Sequence, residues 1–209
     1  MPELRPSYAT QDTRDTILEA ALTVFARSGF SGTTMRDIAQ QAGVSAGLIH
    51  HHFKDKETLW NVVGERITDD FAASFGEPPP GADTVIDETT IPTMVANYMR
   101  YWKTHPSALR FQLWRVLGAP EAERKARSER LNQHNVPIFA RAQKAGFVRA
   151  DVPAGLAMIT TGGLIQFWLH SRLEADDAIA AGGDTSPDDE AFLQYVLGLI
   201  VVAKKKRGK

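Results

Sequence analysis

The chain has 209 residues, is 43% hydrophobic and 23% charged, carries a formal net charge of −1 and contains no cysteine. That length allows one sizeable core or two small ones, and the missing thiols exclude disulfide frameworks and thiolate metal sites. No stretch approaches a membrane span and the first residues lack the apolar segment of a secretion signal, so no membrane partner and a cytoplasmic location are expected. Five cations crowd into 204–209, and residues 1–60 hold six Lys/Arg against seven Asp/Glu. Any DNA-binding surface must therefore arise from local placement of cations and helix N-termini rather than from a basic domain.

Residues 1–12 read as a flexible arm. The first predicted helix, 13–28, puts Ile17, Ala21, Val24 and Phe25 on one face and has Gly29 just past its end. Phe30 can fold back on that end as the hydrophobic contact of such a cap. The next stretch, TMRDIAQQAGVSAGLIHHHF at 34–53, reads as two short helices around a tight turn. Thr34 with Asp37 three residues on supplies acceptors for the first turn, and Ile38, Ala39 and Ala42 form an apolar face. Gly43 suits the positive φ of a helix end, Ser45 caps the next helix, and Ile49 and Phe53 bury it at a spacing of four. This pattern predicts a helix-turn-helix whose second helix enters the major groove of DNA.

The flanks sharpen the reading. The landmarks ILEAALTVFARSGF, TTMRDIAQQAGVS and GLIHHHFKDKETL lie in order within 14–59. That run resembles the DNA-binding domain of the tetracycline-repressor (TetR) family of bacterial regulators. The family usually carries an aromatic residue where this chain has His50 and His51. Carried over residue by residue, the resemblance implies polar readout from Thr34, Arg36, Ser45 and His50. Ala46, Gly47 and Leu48 could reach base edges but offer only apolar contact, suited to thymine methyls. Lys54 and Lys56, before and at the start of the following helix, suit phosphates; the bland alternative for Arg36 and Lys56 is a solvated surface charge. His50 and His51 either meet phosphate as cations or pack neutral against Phe53 or the first helix.

Two competing motifs lie in the same residues. Gly43-Val44-Ser45-Ala46-Gly47 spells the G-x-S-x-G of a serine nucleophile, but that chemistry needs a strand entering the turn, and 35–42 repeats as a helix. His50, His51 and His52 diverge by about 100° per residue on a helix and cannot converge on one metal. No catalytic residues, metal or cofactor are assigned, and an enzyme is the least favoured class.

A fourth helix is expected from just after Asp55, which reads as its cap, to Gly76, then a proline-rich acidic loop through 90. Pro92 opens a fifth helix ending near Thr104, SALRFQLWRVL (107–117) makes a sixth, and 121–145 a seventh with a kink or break at Pro137. A largely apolar helix is expected over 151–174, an acidic loop after it, and a ninth helix over 190–204. The expected fold is all-α, nine helices in two domains: a helix-turn-helix head at 1–56, and a ligand-sensing and dimerisation domain at 57–209 ending in the basic tail 204–209.

Helices four to eight would form the sensor. Met94, Tyr98, Trp102, Phe111, Trp114, Phe139, Met158 and Phe167 are the candidate pocket residues, with Arg110, Gln112, Arg115 or His134 as polar anchors; the alternative is plain core. The last two helices would form a homodimer interface through Gly162, Gly163, Leu193, Val196, Leu197 and Ile200, unless those stripes are the protomer's own core. The family resemblance implies a dimeric repressor on double-stranded DNA with a palindromic operator, released by an apolar small-molecule effector. An architectural DNA-binding protein with a filled sensor is the competing class.

Overall fold

The computed structural model describes residues 7–75 and 85–202. The start of the expected arm, most of the proline-rich loop and the basic tail lie outside the described residues. Ten helices are described: α1 Ser7–Ser28, α2 Met35–Ala42, α3 Ala46–His52, α4 Lys56–Ala73, α5 Thr90–Thr104, α6 Pro106–Gly118, α7 Glu121–Lys144, α8 Ala154–His170, α9 Arg172–Ala181 and α10 Asp189–Gly198. Among the described residues there is no strand, only one isolated antiparallel bridge between Val148 and Val201. The protein is all-α. Among the described residues, no helix is long and apolar enough to cross a membrane.

The chain divides into two compact units, residues 1–71 with 105–120, and residues 72–104 with 121–209. The first extends beyond the expected 1–56 head, because nearly all of α4 and all of α6 belong to it. Ile17, Ala21, Val24 and Phe25 of α1, Ile38 of α2, Ile49 of α3 and Leu59, Trp60 and Val63 of α4 are all fully or almost fully buried. Phe25 stands edge-on to Trp60 with ring centroids 4.9 Å apart, and Phe111 of α6 lies 4.3 Å from Trp60. A small head of this kind has too little apolar surface to close over the Phe25 ring and the Trp60 indole; α6 supplies the lid with Phe111. Replacing Phe25 by alanine should cost about 3–5 kcal/mol, the usual range for a buried phenyl.

The second unit packs α5, α7, α8 and α10 around Ile91, Met94, Met99, Ile138, Phe139, Ile165 and Trp168. Trp168 is held on three sides. Phe192 stacks at 4.1 Å, the Arg172 guanidinium lies 3.9 Å over its ring, and its N–H donates to Asp189 at 2.8 Å.

Several expected boundaries move. α1 begins at Ser7, six residues into what was read as an arm. α7 runs through Pro137 without a break: Ile138, Phe139 and Ala142 just beyond it are buried, and that anchorage outweighs one lost backbone hydrogen bond. The helix expected over 151–174 ends at His170, where Ser171 leaves helical geometry at φ −120 and ψ 40. Part of the expected acidic loop is instead α9, stapled by Arg172 to Asp176 at 2.8 Å, with the Ser186 hydroxyl donating to the same carboxylate. α10 ends its regular turns at Gly198, and the chain then pairs with the segment after α7, Arg149 donating to the Ile200 carbonyl and Val202 to that of Phe147.

Candidate nucleic-acid interface

The helix-turn-helix forms where its caps dictate. The Thr34 hydroxyl accepts from the Asp37 amide at 3.2 Å, and the Asp37 carboxylate accepts from the Thr34 amide at 2.9 Å and from its hydroxyl at 2.7 Å. Those bonds, the hydroxyl's first, hold the Asp37 carboxyl below its ordinary value. Gly43 ends α2 at φ 68, the left-handed geometry that a side chain would strain. Two residues on, Ser45 caps α3, its hydroxyl accepting from the Leu48 amide at 3.2 Å. Because α2 precedes Ser45 and its hydroxyl is spent on that cap, the strand-fed elbow of a serine hydrolase is not formed here.

Burial of Ile49 and Phe53 turns the opposite side of α3 outward. Ala46, Gly47, Leu48, His50 and His51 are all exposed, as are Thr34, Arg36, Ser45 and Lys54. This is one contiguous face of a short helix with its flanking turn, as a major-groove reader requires. His50 and His51 do not pack inward: the His50 Nδ1 lies 3.3 Å from the Lys54 carbonyl oxygen, and the His51 ring meets that of His52 edge-on at 5.3 Å. Among the described residues no three His, Asp or Glu side chains converge on a metal position.

Lys56 departs from its expected place. Its ammonium donates to the carbonyls of Phe30 and Thr33 at 2.8 and 2.7 Å and lies 4.3 Å over the Phe30 ring. It clamps the α1–α2 turn to the start of α4. Asp55 caps α4 as expected, accepting from the Thr58 amide at 2.8 Å.

The candidate pocket residues separate. Met94, Tyr98 and Trp102 share one face of α5 in the second unit, with Met94, Tyr98, Phe139 and Met158 in or against one apolar cluster. The Tyr98 hydroxyl accepts from the Gln166 amide at 2.6 Å, and burial pushes its pKa up to about 12, so it stays a neutral phenol. Phe111 and Trp114 instead belong to the first unit: Phe111 is fully buried there, and Trp114 donates its indole N–H to the Ala26 carbonyl. Of the expected anchors, Arg115 is buried over Gly64 in the first unit and Arg110 and His134 are exposed. Local spacing reads an aromatic on α6 as sensor or as head alike, and nothing else in the sequence marks which. Phe167 is half exposed and lines an open groove of about 600 Å³ with Trp168, Ile179, Phe192 and Tyr195.

The expected interface residues also sort differently. Leu193, Val196, Leu197 and Ile200 are buried within their own protomer, and Gly162 faces Tyr98, whose hydroxyl would lie 3.8 Å from an added Cβ. A stripe of this kind reads the same whether it faces the core or a partner. The uncovered apolar side holds Leu156, Ile159 and Phe167 on α8, with Gly163 between them, and Tyr195 on α10.

Comparison with known proteins agrees with this geometry. The family model described as "Bacterial regulatory proteins, tetR family" matches residues 17–63, and that described as "Tetracyclin repressor-like, C-terminal domain" matches 90–195. The HTH-type transcriptional regulator AcrR of Shigella flexneri is 46% identical over 55 residues, a stretch that spans 26% of this chain and 26% of that relative. The HTH-type transcriptional repressor AcnR of Corynebacterium diphtheriae is 27% identical over 196 residues, covering 90% of this chain and 88% of that one. In fold, the chain is similar to the ketosteroid transcriptional regulator KstR2 of Mycobacterium tuberculosis, with a TM-score of 0.67, 20% identity, and coverage of 91% of this chain and 95% of that one. With its exposed recognition face on a capped helix-turn-helix and both family models in register, the chain belongs to the tetR family of bacterial regulatory proteins and is a DNA-binding transcriptional regulator.

Proposed function

We propose that the chain acts in the cytoplasm as a homodimeric repressor of a palindromic operator, released when an apolar small molecule occupies the second unit. The observation that carries the dimer is the uncovered side of α8 and α10, where Leu156, Ile159, Phe167 and Tyr195 are each about half or more exposed. Apolar side chains so grouped on two neighbouring helices favour burial against a second copy. One head buries too little DNA for tight specific binding; two heads about 34–36 Å apart read successive major grooves.

The effector reading rests on α5 and α8. Met94, Phe139 and Met158 lie in or against one apolar cluster, the Trp102 indole meets the Tyr98 ring, and the Tyr98–Gln166 hydrogen bond is a neutral polar pair beside them. An effector releases DNA only by preferring the state that cannot bind it, and a near-complete switch needs about 5.5 kcal/mol of preference.

The test is selection of bound duplexes from a random-sequence library, followed by sedimentation of the complex. Two chains on a sequence with dyad symmetry support the reading, and one chain on an asymmetric half-site overturns the dimer.

A further inference from the structure

Two glycines of the first unit lie under consecutive side chains of α6. Gly29 ends α1 at φ 67, and a Cβ placed there would stand 3.0 Å from Cδ2 of the Trp114 indole. Gly64 sits in the middle of α4, and a Cβ there would stand 2.2 Å from Nη1 and 2.7 Å from Cζ of Arg115. Glycine weakens a helix interior, so its presence there calls for a packing reason, and the buried Arg115 guanidinium supplies one. Trp114 adds a direct bond, its indole N–H donating to the Ala26 carbonyl at 3.2 Å. One turn of α6 thus rests on α1 and α4 together. The segments on either side of α6 belong to the second unit, so α6 braces, from later in the sequence, a head that the N-terminal residues begin.

From Gly29 the contacts continue into the DNA-reading element. The Thr33 hydroxyl donates to the Gly29 carbonyl at 2.7 Å, and Lys56 donates to the carbonyls of Phe30 and Thr33. The next residue, Thr34, is the cap of α2. The turn that Trp114 overlies is therefore the turn that sets where the helix-turn-helix starts.

We propose that Trp114 and Arg115 are positioning residues for sequence recognition: seated on Gly29 and Gly64, they fix α1 against α4 and thereby the placement of α3. Base readout by the small face Ala46–Leu48 depends on close approach, because short side chains cannot reach across a displaced helix. Phosphate contacts by long cations tolerate such a displacement.

The experiment uses the full chain and one probe, a duplex enriched by the wild-type protein from a random library, beside a scrambled duplex of equal length. Affinity by anisotropy, helicity and thermal midpoint are measured for Gly64→Ala, Arg115→Ala, their double variant and Trp114→Phe, which keeps a ring but loses the N–H. Gly64→Ala and Trp114→Phe are expected to weaken binding to the enriched duplex by about tenfold or more, while binding to the scrambled duplex at low salt changes by less than about twofold. The double variant should bind like Arg115→Ala, because the two changes disrupt one contact and cannot add. Should Arg115→Ala fail to fold, the other two single variants decide. Equal losses on both duplexes tracking a fall in thermal midpoint, full additivity in the double variant, or wild-type binding by Gly64→Ala and Trp114→Phe would each overturn the proposal.

Discussion

The ammonium of Lys56 lies 2.7 Å from the carbonyl oxygen of Thr33, twenty-three residues earlier in the chain. A second bond to Phe30 and that residue's ring beneath the charge make Lys56 an internal clamp of the head. The consequence separates two roles that one cation could play. Lys56→Met leaves two carbonyls without their charged donor and should destabilise the head by about 1.5–3 kcal/mol, the range for hydrogen bonds to charged groups. A phosphate contact at this position would instead show as a salt dependence shallower by about 0.9 in log–log slope. We expect the lower thermal midpoint with an unchanged slope. A midpoint equal to wild type with the shallower slope would return Lys56 to the DNA surface.

The two sides of α10 give a second contrast. Tyr195 is 63% exposed, whereas Val196, its neighbour, is fully buried. Tyr195→Glu combined with Ile159→Glu on α8 should leave helicity intact and yield monomers in sedimentation, because both changes fall on the uncovered side. Val196→Glu should unfold the second unit, since an unpaired carboxylate in an apolar core costs several kcal/mol. If the Tyr195/Ile159 pair sediments as a dimer, the proposed interface lies elsewhere.

How much of this was legible in the sequence follows from how local each signal is. Caps and turns are decided within four residues, so Thr34, Asp37, Gly43, Ser45 and Asp55 stand where local reading puts them. Helix faces are different. The stripe through Leu193, Val196, Leu197 and Ile200 is apolar whether it meets a core or a second copy, and only the packed fold tells them apart. Phe111 and Trp114 lie between segments of the second unit in sequence yet complete the first, a long-range contact that no periodicity encodes. Lys56 suits a phosphate by local reading, because nothing local announces two carbonyls from another turn.

Asp189 ties the second unit together and should make it acid-sensitive. Its carboxylate accepts from Lys103 at 2.6 Å, from the Trp168 indole at 2.8 Å and from Arg172 at 3.2 Å, and these partners, Lys103 first, hold its pKa below the ordinary 3.8. A folded-state value below the unfolded one means stability that is fully present above the unfolded pKa and is lost as pH falls through the folded one. Asp189→Asn should therefore lower stability by about 1 kcal/mol at neutral pH, a figure reduced for the exposure of Lys103. The gap to wild type should close as the pH drops below about 4. Thermal unfolding at neutral and acid pH checks both; a gap that persists at pH 3 would mean the charge is not what the variant removes.

His50 and His51 stand exposed on the face of α3 that carries Ala46, Gly47 and Leu48, where the family more often has an aromatic ring. Against a row of phosphates a cationic imidazole is favoured over a neutral one, so complex formation should take up protons. Imidazole titrates near pH 6.5 in water, so operator affinity should rise as pH falls from about 8 to about 6. Each ring that becomes a phosphate-paired cation should also steepen the salt dependence by up to about 0.9 in log–log slope. The Lys54 carbonyl oxygen, 3.3 Å from Nδ1 of His50, is placed to accept a hydrogen bond from that ring nitrogen, which leaves Nε2 to face DNA. Anisotropy with the library-selected duplex across pH 6 to 8, for wild type and His50→Tyr/His51→Tyr, makes the measurement. The double variant should lose the pH slope and bind with a shallower salt dependence; a slope absent in wild type, or retained in the variant, would remove these two rings from the proton-linked contacts.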